Sequence, residues 1–398
     1  MGKPKIQKKK NKLSRPQSVL SPGGSVSKNT MSNPDPSTLL DQASVLLQTG
    51  QAEAAVEVAQ QALDLAPADS AAQRLAVNLL GEINVELGEI DTARQHFLRA
   101  VELDPNGSIS EAEGGGAEKF LWLAQLSEEG GKDSVQWFEK GVSSLRQTLQ
   151  SLEDGKTTPA EAANAQEKKT KLANALCAVS EIYMTDLSWE EDAESRCDSL
   201  ITEALLVTPD APEVLQTLAS IRISQLRTED AQAALTRSIE LWKDLPPEDP
   251  NVPDFAVRIS LARLLMEVTL EMEALEVLER LILEDDQSVE AWYLGGWCLY
   301  LLAEKQQAPR DADAEDAENP RHASLVASRE WLMQSLKLYA LLEYEDEPLR
   351  DHAMELVQEM NKELGEDMDD SEGEDEGDDE EWDDEDVESD EDHEMADS

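Results

Sequence analysis

The chain has 398 residues, 34 Lys and Arg against 86 Asp and Glu, a formal net charge of −52 and only 4% aromatic residues. So strong an acidic excess argues against nucleic acid as a direct partner and for a basic protein, while the abundance of Ala, Leu and Glu favours helices. No apolar run reaches the roughly 18 residues a membrane helix needs, and the lysine-rich start lacks the apolar core of a signal peptide.

Residues 1–34 read as a disordered basic arm. Lys3, Lys5, Lys8, Lys9, Lys10, Lys12 and Arg15 stand in the first fifteen positions with no acidic residue before Asp35. Lys8, Lys9, Lys10 and Lys12 form a candidate nuclear-localisation cluster, which implies an import receptor as a second partner. Gly2 does not read as a myristoylation site, because Ile6 stands where that motif needs Ser or Thr.

From residue 35 to 365 the apolar spacing is helical and repeats. Asp35-Pro36 predicts a capped start. Leu39, Ala43, Leu46 and Gly50, then Ala55, Ala59, Ala62 and Pro67, mark a first antiparallel pair; Leu80-Gly81, Gly88, Ala93, Phe97, Ala100 and Pro105 mark a second and sharper one. A small residue behind a leucine on one helix, facing a large residue bracketed by alanines on the other, is the tetratricopeptide (TPR) pattern. The segment from Asn106 to Gly116 reads as a loop. A degenerate third pair has Leu123-Ala124, Ser134, Phe138 and Gly141; a fourth has Val179-Ser180, Tyr183, Ile201 and Ala204, split by an insertion around Thr185 to Asp192. The fifth carries Leu218-Ala219, Ala231, Leu235 and Ser238, and the sixth Leu261-Ala262, Ala274, Leu278 and Leu281. The seventh opens with Trp292, Gly295-Gly296 and Leu299, and Ser328, Leu332 and Ser335 resume it after an acidic insertion from Glu304 to Pro320. An amphipathic stretch from Leu349 to Leu364 is suited to cap the stack. The expectation is an all-α superhelical TPR solenoid of about seven pairs with a C-terminal capping helix, followed at 366–398 by a disordered tail of 22 acidic residues without Lys or Arg.

In such a stack the first helices line one face. That register places Asn78, Glu82 and Glu86, then Glu118, Gln125 and Glu128, then Glu181, Glu213, Gln216, Arg263 and Glu267 on it, a mostly acidic surface. Glu82, Glu86, Glu181, Glu213 and Glu267 are candidate contacts for a basic partner, and Tyr293, Trp297 and Tyr300 share a helical face able to stack on arginine, hold an extended peptide or pack as core beside the cap. Ser371 and Ser389, each with an acidic residue three places on, are candidate phosphorylation sites. His96, His322, His352 and His393 are isolated; Cys177, Cys197 and Cys298 are scattered; no nucleophile, phosphate loop or calcium loop is present. Neither an enzyme nor a cofactor or metal site is expected.

The basic arm, the irregular TPR units and the acidic C-terminus together resemble a fungal family, the dedicated assembly chaperones of large-subunit ribosomal protein four. The resemblance is strongest from Thr38 to Pro105, at Trp292-Tyr293-Leu294-Gly295-Gly296-Trp297, and in the tail around Trp382. It implies that the chain binds the newly made ribosomal protein, shields its basic extension, keeps it soluble and escorts it to nuclear pre-60S assembly, hence a place in nucleus and cytoplasm. The alternatives are an acidic TPR histone chaperone, whose acidic block sits inside a repeat rather than at the terminus, and a general TPR scaffold. A clamp for heat-shock-protein C-termini is missing, because Leu40, Ser44 and Leu79 stand where it needs Lys and Asn.

Overall fold

A computed structural model describes residues 34–153, 159–306 and 320–364. The basic arm with Lys8, Lys9, Lys10 and Lys12, the internal acidic segment Asp311 to Glu318, and the tail with Ser371 and Ser389 lie outside the described residues. Among the described residues there are fifteen α-helices and no strand.

The helices form two compact units. The first holds α1 (Pro36–Gln48), α2 (Ala52–Leu65), α3 (Ala71–Glu86) and α4 (Ile90–Leu103), two antiparallel pairs in which α3 also packs on α1 and α2. The second holds α5 (Glu118–Gln125) with α6 (Gly131–Glu153), α7 (Pro159–Met184) with α8 (Ala193–Val207), α9 (Pro212–Ser224) with α10 (Thr228–Glu240), α11 (Phe255–Glu267) with α12 (Glu271–Glu284), and α13 (Val289–Lys305) with α14 (Pro320–Leu341). Helix α15 (Glu347–Leu364) closes this unit against α13 and α14.

Each pair is held by a close approach. A Cβ added at Gly81 would meet the Phe97 ring at 2.6 Å, and Ala93 and Ala100 are buried on either side of that ring. Gly141 gives the same room to Leu121, Gly296 to Leu332 and Gly295 to Trp331. At four small positions taken by serine, the hydroxyl donates to a carbonyl of the facing helix or its end, whereas Ser180 donates to Leu176 O of its own helix. Ser134 Oγ donates to Ala124 O at 2.9 Å, Ser238 to Pro212 O at 3.1 Å, Ser328 to Gly296 O at 2.7 Å and Ser335 to Val289 O at 2.9 Å. The short side chain thus both permits the approach and satisfies the polar atom it buries.

The turns between the helices of a pair repeat as well. Gly50 and Gly88 lie at φ +70° and +73°, each followed by an amide bonded five residues back, Gln51 N to Leu46 O and Glu89 N to Asn84 O. Leu226 (φ +59°) and Thr269 (φ +66°) occupy the same left-handed position in the fifth and sixth pairs, with Arg227 N to Arg222 O and Leu270 N to Leu265 O. A side chain there costs roughly 1 kcal/mol that glycine avoids.

Two local expectations differ from the structure. Asp35 is the N-cap of α1, but its side chain makes no capping bond and Pro36 alone sets the helix start; Ser70 and Ser288 are the residues that cap through their hydroxyls. The stretch read as a loop contains a 3-10 turn, Glu111–Glu113, fixed by Arg74 Nε donating to Glu113 O and Asn78 Nδ2 to Gly114 O. Gly114 and Gly115 are buried, and a Cβ at either would strike backbone, which is why the run is glycine.

Two changes test this packing by thermal or denaturant unfolding. Gly81→Ala is expected to cost about 1–3 kcal/mol, because it drives a methyl into the buried Phe97 ring. Thr269→Gly relieves the left-handed position and is expected to gain about 0.5–1 kcal/mol.

Candidate functional site

In the second unit the first helices pack in series, α7 on α9, α9 on α11 and α11 on α13. Their outward positions carry Glu181, Glu213 and Glu267, all exposed and, among the described residues, without an ion pair. Burial first, and to a lesser degree the charges of Glu181 and Glu213, raise the pKa of the Cys177 thiol. Glu181 reaches solvent, yet enough protein surrounds its carboxyl that desolvation raises its pKa. Other carboxylates of this face are already matched: Glu118 to Lys171 at 3.0 Å, and Glu290 to Arg263 across α11 and α13.

At the C-terminal end the face becomes aromatic. Glu267, Tyr293 and Trp297 line one cavity of about 550 Å³ together with Arg263, Met266, Leu294, Leu301, Asp346, Pro348 and Leu349. Its wall is mainly apolar, and its charged residues are three, Arg263, Glu267 and Asp346. The ring of His352, on α15, stands edge-on to both Tyr293 and Trp297, with centroids 5.8 and 5.1 Å away, and its Nδ1 is 2.7 Å from the Tyr293 hydroxyl. Tyr300 turns to the cap, donating to Glu359 at 3.1 Å. The aromatic trio therefore divides. Tyr293 and Trp297 serve both the cavity and the docking of α15, whereas Tyr300 serves the docking.

Unit by unit, the placement of the other residues varies. Glu86 is exposed and without an ion pair among the described residues; Glu82, on the same helix, is half-buried and engaged. Asn78 and Gln216, expected on the open face, are drawn inward. Asn78 anchors the Gly114 segment, and Gln216 is 7% exposed with its Nε2 unpartnered. Periodicity could not reveal Asp346, Pro348 and Leu349 as cavity residues, since Asp346 precedes α15, Pro348 and Leu349 are on its first turn, and which wall they reach depends on how the cap docks. Among the described residues no group of three or more His, Cys, Asp or Glu is placed to hold a metal, and no helix is long and apolar enough to cross a membrane. Burial pushes the Cys177 and Cys298 thiols up to about 12, so neither is a thiolate near neutral pH.

A family model of the tetratricopeptide repeat matches residues 40–108. A curated protein of Emericella nidulans, described as a probable assembly chaperone of rpl4, is 65% identical over 403 residues covering the whole of both chains. A second of the same description, from Schizosaccharomyces pombe, is 33% identical over 308 residues, 77% of this chain and 85% of its own. The solved structure of the assembly chaperone of RpL4 (Acl4), residues 1–338, is 55% identical and superposes with a TM-score of 0.65, over 68% of this chain and 98% of that one.

The cap contacts have an alkaline signature. Burial pushes Tyr293 up to about 12, and burial with the Glu359 bond does the same for Tyr300, against an ordinary value near 10. Raised pKa values mean that the neutral phenols support the fold, fully so below pH 10. That support is lost as pH rises from about 10 through 12. Unfolding measured across that window should show falling stability, and Tyr293→Phe with Tyr300→Phe should flatten the fall.

Proposed function

The chain belongs to the family of assembly chaperones of rpl4, and from that premise we propose that it receives newly made rpl4, shields a basic extension of it on the first-helix face, keeps it soluble and escorts it to nuclear pre-60S assembly. The observation that carries this reading is the set of exposed carboxylates Glu181, Glu213 and Glu267, which have no ion pair among the described residues, on successive first helices. Exposed and without an ion pair among the described residues, these carboxylates suit a partner that brings its own positive charge.

A ribosomal protein outside its rRNA exposes lysine- and arginine-rich segments that bind any polyanion. Carboxylates on a rigid scaffold stand in for phosphates without the density of a nucleic acid, so rRNA, which offers many more charges, displaces the chaperone without ATP. Binding of this kind needs no catalytic residue, and we read the chain as a binding protein rather than an enzyme. The arm with Lys8, Lys9, Lys10 and Lys12 is proposed to engage an import receptor, giving a protein that works in both cytoplasm and nucleus; the tail with Ser371 and Ser389 is proposed to add long-range attraction that phosphate deepens.

The test is the dissociation constant of the purified chain for purified rpl4. Glu181→Lys with Glu213→Lys should weaken binding by roughly tenfold or more and flatten its salt dependence, with the melting temperature unchanged. Because a bound cation stabilises the ionised form of Glu181, wild-type affinity should also fall on acidification earlier than an ordinary carboxylate titrates. Equal affinity of the double variant at all salt concentrations overturns the reading.

A further inference from the structure

We propose that the edge formed by the α7–α8 loop and the α9–α10 turn is a second docking surface, taking a segment of the same rpl4 client in which a large apolar residue is flanked by Lys or Arg; this rests on the client assignment above. Three observations meet there. Trp189 is 72% exposed yet held rigid: its Nε1 donates to Asp186 O at 3.0 Å, and Lys132 sits over its ring at 5.3 Å. Leu226 is 90% exposed and in the left-handed conformation. At the equivalent turns Gly50 and Gly88 have open space where a Cβ would stand, so a leucine in such a turn gains no burial for the strain it carries. Leu226 lines a cavity of about 360 Å³ with apolar Tyr183, Met184 and Ile221 and polar Ser188, Glu194 and Gln225; Ser188 is the chain neighbour of Trp189.

The charge around this cavity selects the occupant. Positions 186–194 carry five carboxylates, Asp186, Glu190, Glu191, Asp192 and Glu194. The nearby cations are spent, Lys132 on Glu190 and Arg196 on Asp192, whereas Glu191 and Glu194 form no ion pair among the described residues, and Glu194 lines the cavity. An exposed tryptophan, a raised leucine and a hollow of mixed polarity beside a run of carboxylates match an apolar anchor with basic neighbours. An acidic partner, a second copy of this chain included, would be repelled. The surface lies at the ends of the helix pairs rather than on the outward face of the first helices. Two segments of one client can therefore be held at once, which slows dissociation without any single tight contact.

The experiment compares full-length variants for melting temperature and for the rates of binding to purified full-length rpl4. Leu226→Gly is expected to melt at or above the wild type yet bind roughly tenfold more weakly, chiefly through faster dissociation. Trp189→Ala and the charge reversal Glu191→Lys with Glu194→Lys should weaken binding similarly. Thr269→Gly, the same turn one pair later, should gain stability and bind as the wild type does. Wild-type affinity in the Leu226 and Trp189 variants overturns this surface while leaving the client assignment standing, as does capture at this edge of some protein other than rpl4. No binding of rpl4 by the wild type removes the client assignment and this occupant together.

Discussion

The helix pairs of this protein depend on backbones coming close enough for a small residue to seat a large one, as Gly81 does Phe97. The approach leaves a Cβ no room at Gly81, Gly141 or Gly296, and it fixes how far the first helix of one pair stands from the next. Apolar burial supplies the driving force, with Phe97, Leu123, Ile201, Leu235, Leu278 and Leu332 at or near zero exposure in their respective pairs. Two of the charged residues that enter the interior are paired there. The Arg258 guanidinium makes two bonds of 2.6 Å to Glu284, holding that carboxyl below its usual range, and Glu271 meets Lys305 at 2.6 Å.

Because stability resides between the helices, the outward positions of the first helices are free to carry like charge. Repulsion among exposed carboxylates costs little in high dielectric and is spread along a scaffold too stiff to relax it. The same stiffness keeps Glu181, Glu213 and Glu267 at set intervals, which a disordered acidic segment cannot do. At the C-terminal end α15 performs two tasks with one histidine, docking against Tyr293 and Trp297 and leaving their remaining surface to line a cavity with Glu267. Cap and cavity share residues, so the end of the stack shapes the cavity as well as closing the apolar core.

The pairing of helices was legible in the sequence because it rests on local spacing. Ala93, Phe97 and Ala100, or Ser328, Leu332 and Ser335, state which face is buried and how close the neighbour comes. What periodicity cannot state is which neighbour arrives. Asn78 and Gln216 stand at outward positions of their helices, yet one is covered by a glycine run thirty-odd residues on and the other is buried within its own unit. The outward placement of Glu181, Glu213 and Glu267 could be read because their helices follow one another in chain order, whereas Asp346 and Leu349 reach the cavity from the start of the cap, whose path local spacing does not state. Leu226 gave no signal at all: a leucine in a polar turn reads as a weak repeat until its backbone conformation and exposure are known.

Among the described residues the pairs are not all closed by the same chemistry. Phe97 enters behind Gly81, Ser134 bonds Ala124 O, Ser238 bonds Pro212 O, and Trp331 and Leu332 fill the room beside Gly295 and Gly296. A stack of identical repeats can slip by one unit or trade helices between chains at almost no cost, the usual route by which repeat proteins misassemble. The second helix that brings Phe97 to Gly81 and the one that brings Trp331 and Leu332 to Gly295 and Gly296 differ in the size and spacing of what they insert, which works against exchange between those pairs. The degeneracy that blurs the repeat pattern thus gives these helices partners that are not interchangeable, a constraint that opposes the trading of helices between copies.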